Sequence, residues 1–324
     1  MNLAVCLLAY TTIVAVLGPA LLLRATRGGG APRLAVTVWL AAMASVLAAW
    51  VAALALFATQ IVQSWGQLGH VLTGCLAGLR MVVHGGYGGA VQITVAVLAA
   101  LAALAMVGLV VRVANALRRS RRGTNNHIRA ARIAAGGSPP GPGGALVIES
   151  PRRAVYCLAG RQPTIVITRA ALQALDDAQL AAVISHEQAH LTGRHHTVLA
   201  VTSVLSRALY RVRLFSDGAR EVARLLEMCA DDAAARRHSA DTVVDALLAL
   251  TLPTPTAPTP APIAAMPAPA LSVAGSGVPQ RVQRLLFPPD QLRARITLSL
   301  AASATLLGPV VTASLLIAVP ALCI

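Results

Sequence analysis

Apolar positions along this chain fall into long runs and short ones. Residues 3–23, 34–57, 90–113 and 296–324 are almost unbroken apolar sequence. A helix of about 20 such residues, rising about 1.5 Å per residue, crosses the hydrocarbon core of a bilayer. Each run therefore predicts a membrane span. The first opens Met1-Asn2-Leu3-Ala4 with no basic residue ahead of it, so it reads as a retained span and not a cleaved signal.

The short runs predict a different kind of structure. Residues 146–148, 154–158 and 164–168 are β-branched or aromatic and are separated by Pro and Gly, the pattern of a small sheet. Residues 169–175 predict a short helix. A longer helix follows, with Asp176 or Asp177 placed to cap its free amides. Residues 198–215 are apolar but dotted with Arg207, Arg211 and Arg213. Too short to span, they predict an amphipathic helix lying on the membrane or packed on the preceding helix. Residues 217–238 form a charged helical segment and 278–286 a short basic helix.

Punctuation between these elements divides the chain. Residues 1–120 hold three spans, and 121–144, ending in the Gly-Pro stretch 136–144, form a basic flexible linker. Residues 145–250 make the domain with strands. Residues 251–277, rich in Pro, Thr and Ala, form an extended spacer. Residues 278–295 are a basic juxtamembrane helix, and 296–324 a fourth span. The expected fold class is an α-helical membrane protein of four transmembrane helices carrying a small α+β domain.

Composition supports the membrane assignment. Hydrophobic residues are 56% of the chain and charged residues 12%, with a mean hydropathy of +0.68; soluble domains carry about 25% charged residues. The net charge is +15, all its cations are Arg, and every acidic residue lies between Glu149 and Asp290. Because the arginines cluster beside the apolar runs, they read as topology signals, and no direct nucleic-acid contact is expected. Arg24, Arg27 and Arg33 separate the first two spans, and Arg112, Arg118, Arg119, Arg121 and Arg122 close the third. The loop between spans two and three carries Arg80 alone. The positive-inside rule then places both termini outside a plasma membrane crossed several times, with the 145–250 domain in the cytoplasm. The five cysteines form no C-x-x-C, which argues against a disulfide framework or a cysteine metal site.

The chemistry concentrates at His186-Glu187-Gln188-Ala189-His190. On a helix, positions i and i+4 share a face, so both imidazoles can converge on one ion. Glu187 projects beside that ion, where it can take a proton from a water held there. Chance gives this pattern well under ~1% of the time in a chain so poor in His and Glu. Downstream, Glu227 and Asp231 also lie four apart. Glu227 is the candidate third ligand; Asp231 is the candidate acceptor for the outer N–H of a ligating histidine, His186. Asp232 points about 100° away and is expected to be solvated. His70 and His84 lack spacing to any partner and read as ordinary histidines.

The run 154–196, with Glu227-x-x-Ala230-Asp231, resembles the integral-membrane gluzincin proteases. These include the HtpX-type and CaaX-prenyl proteases and the BlaR/MecR-type antibiotic-response peptidases. The layout of several spans, a cytoplasmic H-E-x-x-H domain and one last span is most similar to the BlaR/MecR type. The resemblance implies a zincin-like metalloprotease domain, one Zn²⁺ per chain, a protein substrate and a bilayer partner. It implies an endopeptidase acting on a cytoplasmic or membrane-proximal protein, such as a transcriptional repressor in a signalling pathway. HtpX-like quality control of membrane proteins, or a non-catalytic signalling scaffold, are the other readings. Two departures stand out. No penicillin-binding sensor is expected after the last span. Where the HtpX type has His-Pro, this chain reads Val278-Pro279. The transition-state or substrate contact is therefore open among His195, His196, His238 and Arg281. The substrate is expected to lie along a sheet edge, provided by 164–168 or 154–158.

Overall fold

The computed structural model describes residues 3–63, 88–136, 140–160, 162–251 and 277–322. The spacer at 252–271 and most of the loop at 60–89, with His70 and His84, lie outside the described residues. The chain opens with α1 (Leu3–Thr26), α2 (Pro32–Gln63) and α3 (Gly88–Ala134). Within them, Cys6–Thr26, Pro32–Leu56 and Ala100–Ala134 are long and apolar enough to cross a membrane. The fourth expected span falls in the last helix, α10 (Gln291–Leu322), which packs against α1 and α2. The Tyr10 hydroxyl of α1 donates to the Thr305 carbonyl of α10 at 2.6 Å, fixing their register.

Strands β1 (Leu146–Ile148), β2 (Val155–Leu158) and β3 (Thr164–Thr168) form one sheet in the order β1-β3-β2. β1 runs parallel to β3, with Leu146 opposite Val166, and β2 pairs antiparallel, with Val155 opposite Ile167. The central position of β3 removes 164–168 as a substrate-binding edge, since both its ladders are already taken. β2 is the edge strand that packs on the helix bearing the H-E-x-x-H sequence.

Both faces of the sheet are covered, which is why its strands read as continuous apolar runs without alternation. Val155, Cys157, Ile165 and Ile167 face a core that includes Leu180, Val183 and Ile184. Tyr156, Leu158 and Val166 on the other face meet Ile128 and Ala131 of α3. This corrects the linker expected at 121–144. Residues 121–134 continue α3 as helix, because Ile128 and Ala131, one turn apart, bury themselves on the sheet. Arginine flanks mark where a span meets water; they do not end a helix that has another apolar surface to cover.

The remaining elements are α4 (Arg169–Ala174), α5 (Asp177–Thr192), α6 (His195–Ala208), α7 (Arg213–Ala235), α8 (Ala240–Thr251) and α9 (Val278–Leu286). The amphipathic helix expected across 198–215 is broken at 209–212; it packs mainly on α7 and α3, with a smaller contact to α5. α7 lies antiparallel along α2: Phe215 meets Trp50 with ring centroids 6.2 Å apart. Further along, Leu226 and Cys229 share a cavity wall with Val36 and Arg33. A Cβ on Gly218 would collide with Met43 and Trp39, so only glycine permits this approach. At the end of α1, the Thr26 hydroxyl donates to Glu221 at 2.5 Å and Arg224 donates to the Thr26 carbonyl at 2.8 Å. One core accordingly joins Trp39, Met43 and Val46 of α2 to Phe215, Leu225 and Met228 of α7. The regions expected as separate blocks at 1–120 and 145–250 are packed as one body there.

Candidate metal centre

Helix α5 begins with a capping box. Asp176 accepts from the Gln179 amide at 2.8 Å, and Gln179 Oε1 accepts from the Asp176 amide at 3.2 Å. Leu180, Val183 and Ile184 anchor the helix on the sheet. That orientation buries His186, Glu187 and His190, each at 1% exposure or less. On α7, Glu227 and Asp231 lie on the buried face at 8% and 1% exposure.

The two helices bring the expected residues together. His186 Nε2 and His190 Nε2 are 3.0 Å apart, and Glu227 oxygens lie 3.7 Å and 3.6 Å from them. One ligand atom from each of the three falls within 4.8 Å of the others. A tetrahedral ion about 2.0–2.1 Å from each nitrogen would set them about 3.3 Å apart, close to what is seen. Both Glu187 oxygens are buried without an aligned hydrogen bond, although the Cys157 thiol of β2 lies against them. Unsatisfied carboxylate oxygens beside a triad of metal-type donors fit a site built around an ion and a water.

Outer partners hold the donors. Asp231 Oδ1 is 3.1 Å from His186 Nδ1, an ion-pair distance without an aligned hydrogen bond. His190 Nδ1 lies 2.7 Å from His195 Nδ1. When Nε2 of His190 faces a metal, its Nδ1 carries the proton and donates to His195. The turn between α5 and α6 makes this possible, because a Cβ on Gly193 would strike the His195 ring. Arg281 of α9, 1% exposed, donates to both oxygens of Asp231, at 2.8 and 2.6 Å, and sits 3.1 Å from Glu227.

These contacts set the proton affinities of the metal-free site. Burial raises Glu187 to about 8, with Glu227 adding to the rise against the opposing His186. Burial opposes charge on His186, but Asp231 and Glu227 outweigh it and lift that imidazole to about 9. Burial likewise disfavours ionised Asp231, and Arg281 and His186 overcome this and hold it near about 2. Burial, reinforced by His186, keeps His190 well below the usual histidine range and His195 at about 4. A metal must displace the His186 proton. The apparent zinc affinity should therefore climb about tenfold per pH unit from pH 6 towards 9, measured by chelator competition. A flat profile would show that His186 holds no proton over this range that the metal must displace.

Residues 126–251 match peptidase family M48. The matched segment is fewer than half of the 324 residues, and it contains His186, Glu187, His190, Glu227 and Asp231. It supports a zinc metallopeptidase of the HtpX/BlaR type. No curated protein and no solved structure matches the chain. Arg281 lies beyond the M48 segment yet reaches its centre. Of the four open candidates, Arg281 and His195 touch the candidate ligand residues, Arg281 at Glu227 and His195 at His190. His238 pairs instead with Ser185 at 2.8 Å, and His196 has a buried Nδ1 without a partner. Asp232, expected to be solvated, is half-buried and paired with Arg284 at 2.8 Å, because α9 docks on α7 one turn beyond Arg281. Cys157 carried no sequence signal for its place beside Glu187: a lone cysteine in a strand reads as core.

Proposed function

We propose that this protein is a membrane-bound zinc endopeptidase that cleaves a cytoplasmic or membrane-proximal protein. The observation that carries this is the buried His186, His190 and Glu227 triad with an unsatisfied Glu187 beside it. His186, His190 and Glu227 would hold one zinc. When bound, zinc supplies Lewis acidity, which polarises a peptide carbonyl and makes a water more acidic. Glu187 takes the proton from that water and passes it to the leaving amine nitrogen. Asp231 and His195 hold the ligand imidazoles in orientation, and Arg281 holds Asp231 and Glu227. The outer edge of β2, beside α5, is where an extended substrate would add as a strand.

The apolar helices support a membrane location, and the arginine distribution supports a cytoplasmic site with both termini outside, α10 serving as a fourth span. A repressor in a signalling pathway is the substrate class that the BlaR/MecR resemblance favours. HtpX-like quality control is the second reading, and it shares every site residue. Comparing protein N-termini in cells carrying the native chain or Glu187→Gln tests the choice. One soluble regulator whose fragments vanish supports the first, and many membrane-protein fragments support the second. Topology is tested with single cysteines in a background free of native ones. A cysteine at position 149 should resist an impermeant thiol reagent in intact cells, whereas one at position 66 should react. The reverse pattern would put the site outside and exclude a cytoplasmic substrate.

A further inference from the structure

A second cavity, where α2 and α10 begin and α7 ends, adjoins the one that runs past His195 and shares Arg33 and Arg236 with it. It holds about 560 Å³ and is lined by Arg33, Arg236, Arg295, Asp232, Pro32 and Gln291, among others. The three arginines come from three separate elements, and all are exposed. Among the described residues none of the three side chains has a carboxylate partner. The carboxylate in the wall, Asp232, is already matched by Arg284, at 2.8 Å to one oxygen and 2.9 Å to the other. Three arginines therefore line this one open space, and among the described residues none of them is paired with a carboxylate.

The position says which anion belongs there. Arg33 is the second residue of the candidate span Pro32–Leu56. Arg295 precedes the apolar part of α10, whose Leu292, Ile296 and Leu300 form an exposed i, i+4 stripe at 69%, 54% and 67% exposure. A ligand with a negative head and apolar tails satisfies both features at once: its head sits among the guanidiniums and its tails lie on the stripe. We infer that this cavity binds the phosphate headgroup of one acidic phospholipid, of the phosphatidylglycerol type, at the membrane surface. Arginine suits phosphate oxygens because its planar fork donates two bonds at a time. The inference rests on the membrane reading of the proposed function and not on the peptidase reading.

Native mass spectrometry of the full chain in detergent tests it, with dioleoyl-phosphatidylglycerol or dioleoyl-phosphatidylcholine added at equal concentration. The native chain should retain one phosphatidylglycerol that phosphatidylcholine does not displace. The triple variant Arg33→Gln, Arg236→Gln, Arg295→Gln should bind it about a hundredfold more weakly, at about fivefold per arginine. Arg118→Gln, Arg119→Gln, Arg121→Gln, Arg122→Gln removes four other juxtamembrane charges and should leave the bound lipid in place. Should the triple variant fail to fold, Arg295→Gln alone should still lose about fivefold. Equal loss from both variants, or equal retention of phosphatidylcholine, means diffuse surface charge and overturns the site. Displacement by millimolar inorganic phosphate or by a phosphoserine peptide, with no preference for phosphatidylglycerol, reassigns the cavity to a soluble anion and also overturns it. A chain that stays soluble and monodisperse without detergent would instead refute the membrane reading, whatever the arginines do.

Discussion

Glu187→Gln should lower kcat for peptide hydrolysis by at least about 10²–10⁴, with KM and bound zinc nearly unchanged. The amide keeps the shape of the side chain but cannot accept a proton from water. Glu187 is fully buried, its oxygens have no aligned partner, and it belongs to none of the three donors that converge. Its loss should thus act on the reaction and not on the metal. Glu227→Ala is the contrasting variant. It removes a ligand, so zinc content should fall sharply by elemental analysis, and activity with it. Metal loss from Glu187→Gln but not from Glu227→Ala would exchange the two roles. An activity within tenfold of the native chain after Glu187→Gln would end the general-base assignment.

Arg281→Ala should cost about 3–5 kcal/mol of stability and loosen the metal site. The guanidinium is 1% exposed, donates to both Asp231 oxygens and lies 3.1 Å from Glu227. Its removal leaves two buried carboxylates with only imidazoles to balance them, and an unpaired buried charge is far more costly than a pair. Thermal unfolding in detergent should show a lower midpoint, and zinc affinity should drop about 10–100-fold because Asp231 no longer holds His186. Arg281→Met combined with Asp231→Leu should recover part of the stability, since Glu227 is then the one carboxylate left without the guanidinium in place of two, but not the zinc affinity. A stability near native for Arg281→Ala would show that α9 does not hold the centre together.

The element pattern was largely written in the chain. Strands at 146–148, 155–158 and 164–168, the Asp176 cap, and the helices carrying His186 and Glu227 all follow from local rules of period, turn chemistry and capping. Those rules act over a few residues, so a single sequence displays them. The spacing of His186 and His190, and of Glu227 and Asp231, is equally local: one helical turn places each pair on one face. That the two pairs meet was an inference from motif chemistry, and the distances of 3.6 and 3.7 Å come only from how α5 and α7 pack.

What the sequence could not display depends on contacts between distant residues. The arginine run at 118–122 looked like the end of a span, yet the helix continues to Ala134 because the far face of the sheet needed covering. β3 became the central strand, and so lost its claim as an edge, because β1 reaches it from beyond the β2–β3 hairpin. Arg281 and His195 were two names among four until packing set one on Asp231 and the other on His190. Local sequence determined the helices, the strands and the donor atoms of this protein. Tertiary structure alone decided which buried charge answers which, because that depends on burial and on distances across separations such as the 50 residues between Asp231 and Arg281.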